Sequence, residues 1–233
     1  MRPLVIIGGY FTGPKDFAGL ARILAQPPYS YKIFVTPISR THWAFTRDWD
    51  LRPIVRLVRA TVEQALALSG ADQVDILAHS VGGTLARIYL GDAPYRGEVY
   101  GGRRYVRHLI MLGTPHHSQE RWTRQSIGFV NDTYPGAFYP EVRYTSVIGH
   151  VICGNPRGTI VERVSSSSYV TVSGPSAREA WGDGITTLEC AALSGAEYLV
   201  VPGVSHSPFH GRPWYCDREG ITRWDRVLRR AEA

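Results

Sequence analysis

Ser80 stands between a short apolar run, Val74–Ala78, and a stretch with helical character, Gly82–Leu90, in the segment Leu77-Ala78-His79-Ser80-Val81-Gly82-Gly83. A strand that runs directly into a serine and out into a helix makes a tight turn that lifts the hydroxyl above the sheet, the nucleophile-elbow arrangement. Small residues are needed on both sides of such a turn, because the strand and helix backbones pass close together there. Gly82 meets that need, and Ala78 stands where glycine is commonest, a departure its size tolerates. The plainer alternative is a loop serine that caps the following helix. Strand, turn and helix all fall in place, which favours the nucleophile.

A serine hydroxyl is a poor nucleophile until a base takes its proton. Of eight histidines, His206 in Gly203-Val204-Ser205-His206-Ser207-Pro208 follows the last apolar strand and precedes the closing helix. That is its place in the chain order serine, acid, histidine. His210 is close enough to be a rival, and His79, beside the nucleophile, reads as a pocket-shaping or locally bonded group. The acid should lie between serine and histidine and orient the imidazole. Asp183 in Trp181-Gly182-Asp183-Gly184-Ile185 does so, flanked by glycines; it could also cap a helix starting near Ile185. Glu162, Glu179 and Glu189 sit in less defined turns, and Asp72 and Asp75 precede the serine. Negative charge on the attacked carbonyl needs backbone N–H donors. One is expected from Val81, the other from Tyr10 in the Gly8-Gly9-Tyr10-Phe11 loop, although that glycine pair would also suit a simple turn.

The elements that must position these residues follow from hydrophobic period. Strands are expected at Leu4–Ile7, Tyr31–Val35, Val74–Ala78, Val106–Leu112, Val142–Ile148 and Tyr198–Val201. Helices are expected over 15–25, from Asp50 as cap to Ser69, and over Gly82–Leu90, Ile185–Leu193 and Ile221–Arg230. Residues 39–49 read as an aromatic-rich loop, 118–127 as weakly helical, and 149–180 as β-like fragments without a clear period. Strands alternating with helices, the strands apolar throughout, predict an α/β fold: a mostly parallel sheet covered by helices on both faces. Ligands of such sheets bind beyond the carboxyl ends of the strands.

The 233 residues suit one domain, 1–233, with residues 114–140 as a candidate lid or cap. A 44% hydrophobic content supports a core and argues against disorder. The net charge of +6 comes from scattered arginines, with tight clusters only at Arg103–Arg104 and Arg229–Arg230, so it reads as a solvated face. Arg52, Arg56 and Arg59 share one side of the long helix in the manner of a surface helix. No nucleic-acid motif accompanies the charge, so a nucleic-acid partner is not expected. Cys153, Cys190 and Cys216 match no metal or redox spacing, and an odd number cannot all pair within the chain. No secretory leader is read at the start, and no segment reaches the roughly 18 apolar residues of a membrane span. A soluble intracellular protein, cytoplasmic or otherwise, is expected.

With these residues in hand, the chain resembles the α/β-hydrolase superfamily, and within it the lipase-like serine hydrolases. The resemblance is carried by IIGGYFTG, LAHSVGG, LIMLGTPHH, WGDGITTLE and VPGVSHSPFHG, and spans positions 4 to 230. Leu112-Gly113-Thr114-Pro115-His116-His117 is similar to a segment of many lipases and of hydrolases related to glycosylphosphatidylinositol-inositol deacylases. Trp181–Leu188 and Gly203–Gly211 look like segments of a plant and cyanobacterial lipase-like group. The resemblance implies Ser80 as nucleophile, Asp183 as acid, His206 as base, and the Val81 and Tyr10 backbones as oxyanion hole. It departs in two places. Family members usually precede the first strand with an antiparallel hairpin, so this looks like a minimal version of the fold. Gly8-Gly9 also stands where lipases usually show His-Gly.

The expected activity is therefore hydrolysis of carboxylic esters, with a small-molecule or lipid ester as partner. Hydrophobic esters are favoured if the aromatic groups Trp43, Phe45 and Trp49, and Trp122, Phe129, Tyr134, Phe138 and Tyr139, roof an acyl pocket; packing within the core is the alternative. Basic charge would suit peripheral contact with an anionic membrane surface. A thioesterase or acyltransferase could use the same three residues, and a non-enzymatic binding or scaffold protein could share the fold. No cofactor is expected, and no metal-ligand spacing is visible. Oligomeric state is not legible in the sequence.

Overall fold

A computed structural model describes residues 2–46, 50–121 and 124–229. Its centre is a sheet of six strands, β1 (Pro3–Ile7), β2 (Lys32–Val35), β3 (Val74–His79), β4 (Val106–Leu112), β5 (Arg143–His150) and, after the short β6 (Ile152–Cys153) and β7 (Trp181–Gly182), β8 (Glu197–Pro202). The order is β2-β1-β3-β4-β5-β8, and every pairing in it is parallel. β6 and β7 form a separate antiparallel clip. From β1 the chain crosses outward to β2 and then back to β3 on the other side. The loops after β1 and β3 therefore diverge at a topological switch point, where a crevice opens at the carboxyl edge.

The central strands are largely apolar because both of their faces are covered, whereas the edge strand β8 buries Leu199 and Val201 and leaves Tyr198 and Val200 exposed on its other side. Val5, Ile7, Ile76, Ala78, Leu109 and Met111 point into one core, and Leu4, Ile6, Leu77, Ile110, Leu112 and Val147 into the other. Alternation of side chains along each strand makes this division. After a 3-10 turn at Pro14–Phe17, α1 (Ala18–Leu24) packs on the second face, and after the short α2 (Arg40–Ala44), α3 (Arg52–Ser69) and α4 (Gly82–Leu90) pack on the first. α3 buries Ile54, Val55, Val58 and Val62, which recur at helical spacing, and ends at Gly70 in the left-handed region. Its N-cap is Leu51, not Asp50, although Asp50 Oδ1 accepts from the Arg52 N–H at 3.0 Å. The basic side of α3 does more than face water. Arg52 and Arg56 pair with Glu98, and Arg59 donates to the Val99 carbonyl, so they pin the 98–100 loop.

The second half departs from expectation. Of the weakly helical 118–127 stretch, 118–121 are not helical and 124–127 open α5 (Arg124–Thr133), and the expected 185–193 helix shrinks to α7 (Leu188–Ala191), capped by Thr187. Between them, where β-like fragments were expected, lies α6 (Ile160–Ser173), a 14-residue helix. Thr159 caps it and Glu162 closes a capping box. The closing helix divides into α8 (Arg218–Trp224) and α9 (Arg226–Arg229). The stretch read as an aromatic loop opens with α2, started by Ser39. Among the described residues no helix is long and apolar enough to cross a membrane.

Candidate active site

Ser80 follows β3 directly and has a φ of +56°, a left-handed conformation that few side-chain-bearing residues adopt. The turn is held on three sides. The Ser80 N–H donates to the Leu112 carbonyl at 2.9 Å, while the Ser80 carbonyl accepts from the Gly83 N–H at 3.1 Å and from the Thr114 hydroxyl at 2.8 Å. Close approach explains the glycines around it. A Cβ on Gly9 would lie 2.7 Å from Ser80 Cβ, and one on Gly82 would lie 2.7 Å from the Ile7 carbonyl oxygen. Val81 is the N-cap of α4, a position whose N–H has no acceptor within the helix.

Asp183 and His206 meet at the carboxyl edge of β4 and β5. His206 Nδ1–H donates to Asp183 Oδ2 at 2.8 Å, and the His206 backbone N–H donates to the Asp183 carbonyl at 2.8 Å. Asp183 does not cap a helix. Its Oδ1 instead accepts from the Ile185 and Thr186 N–H groups at 3.0 and 2.8 Å. Burial alone would raise this carboxyl, but the His206 charge, the His206 hydrogen bond and the two backbone donors outweigh it and hold Asp183 below its ordinary value. Room for the pair is made by Gly113, at φ +57°, where a Cβ would sit 2.5 Å from Asp183 Oδ2.

Tyr215 completes this arrangement and was not singled out in the sequence. Its buried phenol donates to Asp183 Oδ2 at 3.0 Å and accepts from the Gly149 N–H at 2.6 Å. His79 is 5% exposed, and its Nε2–H donates to the His206 carbonyl at 3.0 Å. Burial, with the neighbouring His206 charge, pushes His79 down to about 3, so it is neutral and suited to local bonding. His210 pairs through Nδ1 with the Ser207 hydroxyl at 2.9 Å and makes no contact with Asp183 of the kind His206 makes.

Ser80 and His206 open onto one cavity of about 520 Å³, with Gly9, Tyr10, Thr12, His79 and His210 also in its wall. No hydrogen bond joins the Ser80 hydroxyl to His206 among the described residues. The remaining wall is α6, through Val164, Ser167, Ser168, Thr171 and Val172, together with Ile185. Among the described residues, none of the aromatic side chains singled out in the sequence as a roof for an acyl pocket lines this cavity. Trp43 is buried against Tyr10, Tyr134 and Tyr139 are buried in the first core, and Phe129 and Phe138 pack on Tyr134. Phe45 is exposed, and Trp49 and Trp122 lie outside the described residues. Of the stretch expected as a lid, 114–140, Glu120 reaches the cavity wall. A wider groove of about 700 Å³, between Ala177, Trp181 and Glu189, contains none of Ser80, Asp183 and His206. Among the described residues no group of three His, Cys, Asp or Glu side chains is placed to hold a metal ion.

No protein-family model matches the chain, and no curated protein matches it in sequence. Solved structures do match. Phospholipase PlaB from Legionella pneumophila is similar with a TM-score of 0.67 at 14% identity, over 100% of this chain and 60% of that one. Lipase 1 from Pelosinus fermentans is similar with a TM-score of 0.64 at 8% identity, over 99% and 98% of the two chains. The Bacillus licheniformis lipase BlEst2, in its propeptide form, is similar with a TM-score of 0.58 at 18% identity, over 85% of this chain and 44% of that one. The chain thus spans 44% and 60% of the length of the Bacillus and Legionella proteins. The sheet order, the helices on both faces and these likenesses define the class: the chain has the α/β-hydrolase fold.

Proposed function

We propose that this chain is a serine hydrolase that cleaves carboxylic esters, with Ser80 as nucleophile, His206 as base and Asp183 as the acid that orients the base. One observation carries the reading. His206, paired with buried Asp183, faces the same cavity as a serine held at positive φ on a strand-to-helix turn. In the proposed cycle His206 Nε2 takes the proton of Ser80 Oγ as that oxygen adds to the ester carbonyl. The tetrahedral oxyanion is met by the Val81 and Tyr10 N–H groups. It collapses to an acyl-serine as His206 returns the proton to the departing alkoxide, and the alcohol leaves. Water, deprotonated by His206, then repeats the addition and releases the carboxylic acid with Ser80 restored. Asp183 stays ionised throughout and stabilises the imidazolium.

Hydrophobic esters are the favoured substrates. Tyr10, Val164, Val172 and Ile185 give the cavity wall apolar surface, and Phe11 and Phe209, 58% and 66% exposed, adjoin the wall residues Tyr10 and His210. Exposed aromatics beside an opening suit an apolar ligand or a lipid surface. The likeness to lipases and a phospholipase points the same way at the level of fold. The test is hydrolysis of a chain-length series of chromogenic esters by the native chain and by Ser80→Ala. Native turnover that disappears in the variant supports the reading, and turnover retained by Ser80→Ala overturns it.

A further inference from the structure

α6 is built the wrong way round for a helix that merely packs on a core. Ser165 and Ser166 are buried on its inner side, with Tyr169 as the large residue there, while Ile160 near its start is 68% exposed. Tyr169 anchors the helix by polar contacts: its phenol donates to the Ile152 carbonyl and accepts from the Gly184 N–H, both at 2.9 Å. Further along, the Ser173 hydroxyl pairs with Thr187 at 3.0 Å and the Val172 carbonyl accepts from the Gln119 N–H at 2.7 Å. The carboxyl-terminal half of α6 is thus tied to the loop 183–187 that carries Asp183. One face of the helix, Val164, Ser167, Ser168, Thr171 and Val172, lines the cavity, and no side chain on it is larger than valine.

On the proposed reading of Ser80 and His206, we infer that this face of α6, with Ile185, forms the leaving-group wall of the cavity, so that Thr171 and Ser168 set the size of the alcohol portion of the ester. The departing alkoxide must receive its proton from His206, so the alcohol portion lies on the histidine side of the attacked carbon. Ser207, His210 and Ile185 belong to the cavity wall near His206 in the chain or through the acid loop, and the half of α6 fastened to that loop is assigned to the same side. With the carbonyl oxygen turned toward the Tyr10 and Val81 N–H groups as proposed above, the acyl portion is assigned to the Gly9, Tyr10 and Thr12 side. Small hydroxyl side chains at Ser168 and Thr171 keep the leaving-group side wide, and an aromatic ring there would fill it. A lost or added contact of that size typically changes discrimination by about tenfold or more.

The test compares native chain, Thr171→Phe, Ser168→Leu and Thr171→Val on two ester series followed by acid release. One series holds the acyl group as butyrate and enlarges the alcohol from methyl to naphthyl; the other holds ethanol and lengthens the acyl chain. Thr171→Phe and Ser168→Leu are expected to lower the naphthyl-to-methyl ratio of kcat/KM by about tenfold, through KM, and to leave the acyl-length optimum in place. Thr171→Val is expected to keep the native ratio. A shift of the acyl optimum with an unchanged alcohol ratio overturns the inference, as does the absence of change in both series from folded variants. Failure of the native chain to cleave any member of either series overturns the ester-hydrolase reading itself, and is recognised before any variant is compared.

Discussion

Asp183 Oδ2 receives two donors, His206 Nδ1–H and the Tyr215 phenol, and the phenol in turn satisfies the Gly149 N–H. Tyr215→Phe removes a donor from the carboxylate and strands a buried N–H, which is expected to cost about 1–3 kcal/mol at neutral pH. A purely steric defect would cost the same at every pH. Here Asp183 is held below its unfolded value, so its contribution is complete above about pH 4 and is lost as pH falls through the lower folded value. The variant carboxyl moves back toward the unfolded value, and the stability gap between native and Tyr215→Phe should therefore narrow below about pH 4 in denaturant titrations. Ser80, His206 and Asp183, the residues proposed as the site, could be singled out in the sequence because each sits in a short segment of distinctive turn chemistry. Tyr215 could not, since its partner lies 32 residues away and nothing in Arg212-Pro213-Trp214-Tyr215 marks a tyrosine bound to a carboxylate.

At the scale of elements, the loop after β1 and the turn after β3 must pass within contact of one another, and Gly9 is where they touch. A Cβ on Gly9 meets Ser80 Cβ at 2.7 Å and the His79 carbonyl oxygen at 3.1 Å, both parts of a turn fixed by the Leu112 and Thr114 hydrogen bonds. Gly9→Ala is expected to displace the Ser80 hydroxyl and lower kcat on a short ester by about a hundredfold, with a smaller effect on the melting temperature, since misplacement by an ångström suffices for a loss of that order. Kinetics and a thermal melt of the same preparation check both halves. The strands and the helices α3 and α4 were legible because their apolar positions follow period two or 3.6. α6 was not, because the four serines at 165–168 erase that period. Its start signal was nevertheless present: Thr159 followed three residues later by Glu162 is a capping box. The weak pattern of α6 and its place beside the cavity have one cause, since the side it shows to the cavity is not shaped for packing.

Across the whole molecule, buried imidazoles govern the response to acid. Burial pushes His79 and His108 down to about 3 and His210 to about 4, and holds His116 well below its ordinary value. Each is neutral in the folded chain and titrates near 6.5 when unfolded, so the stability it contributes is complete above about pH 6.5 and is lost as pH falls toward its folded value. The melting temperature is expected to fall steadily between about pH 6.5 and 4.5, before most carboxylates protonate, with proton uptake on unfolding measurable by calorimetry in buffers of different ionisation heat. A flat profile over that range would contradict this burial. The mostly parallel, helix-covered sheet was the most legible large-scale feature, though not its strand order, because a strand covered on both faces has no polar side and so reads as an unbroken apolar run. The cavity wall was the least legible, because it is assembled from loops after different strands and from a helix without a clear period.

The φ of +56° at Ser80 sets stability and chemistry against each other at one residue. A residue with a Cβ is held there at a penalty of about 1–2 kcal/mol, which glycine does not incur. Ser80→Gly should thus melt several degrees higher than the native chain while losing its proposed chemistry, a gain that scanning calorimetry would register. Selection for thermal hardiness alone would drift toward glycine at this turn, and only a demand for the hydroxyl would hold the serine in place.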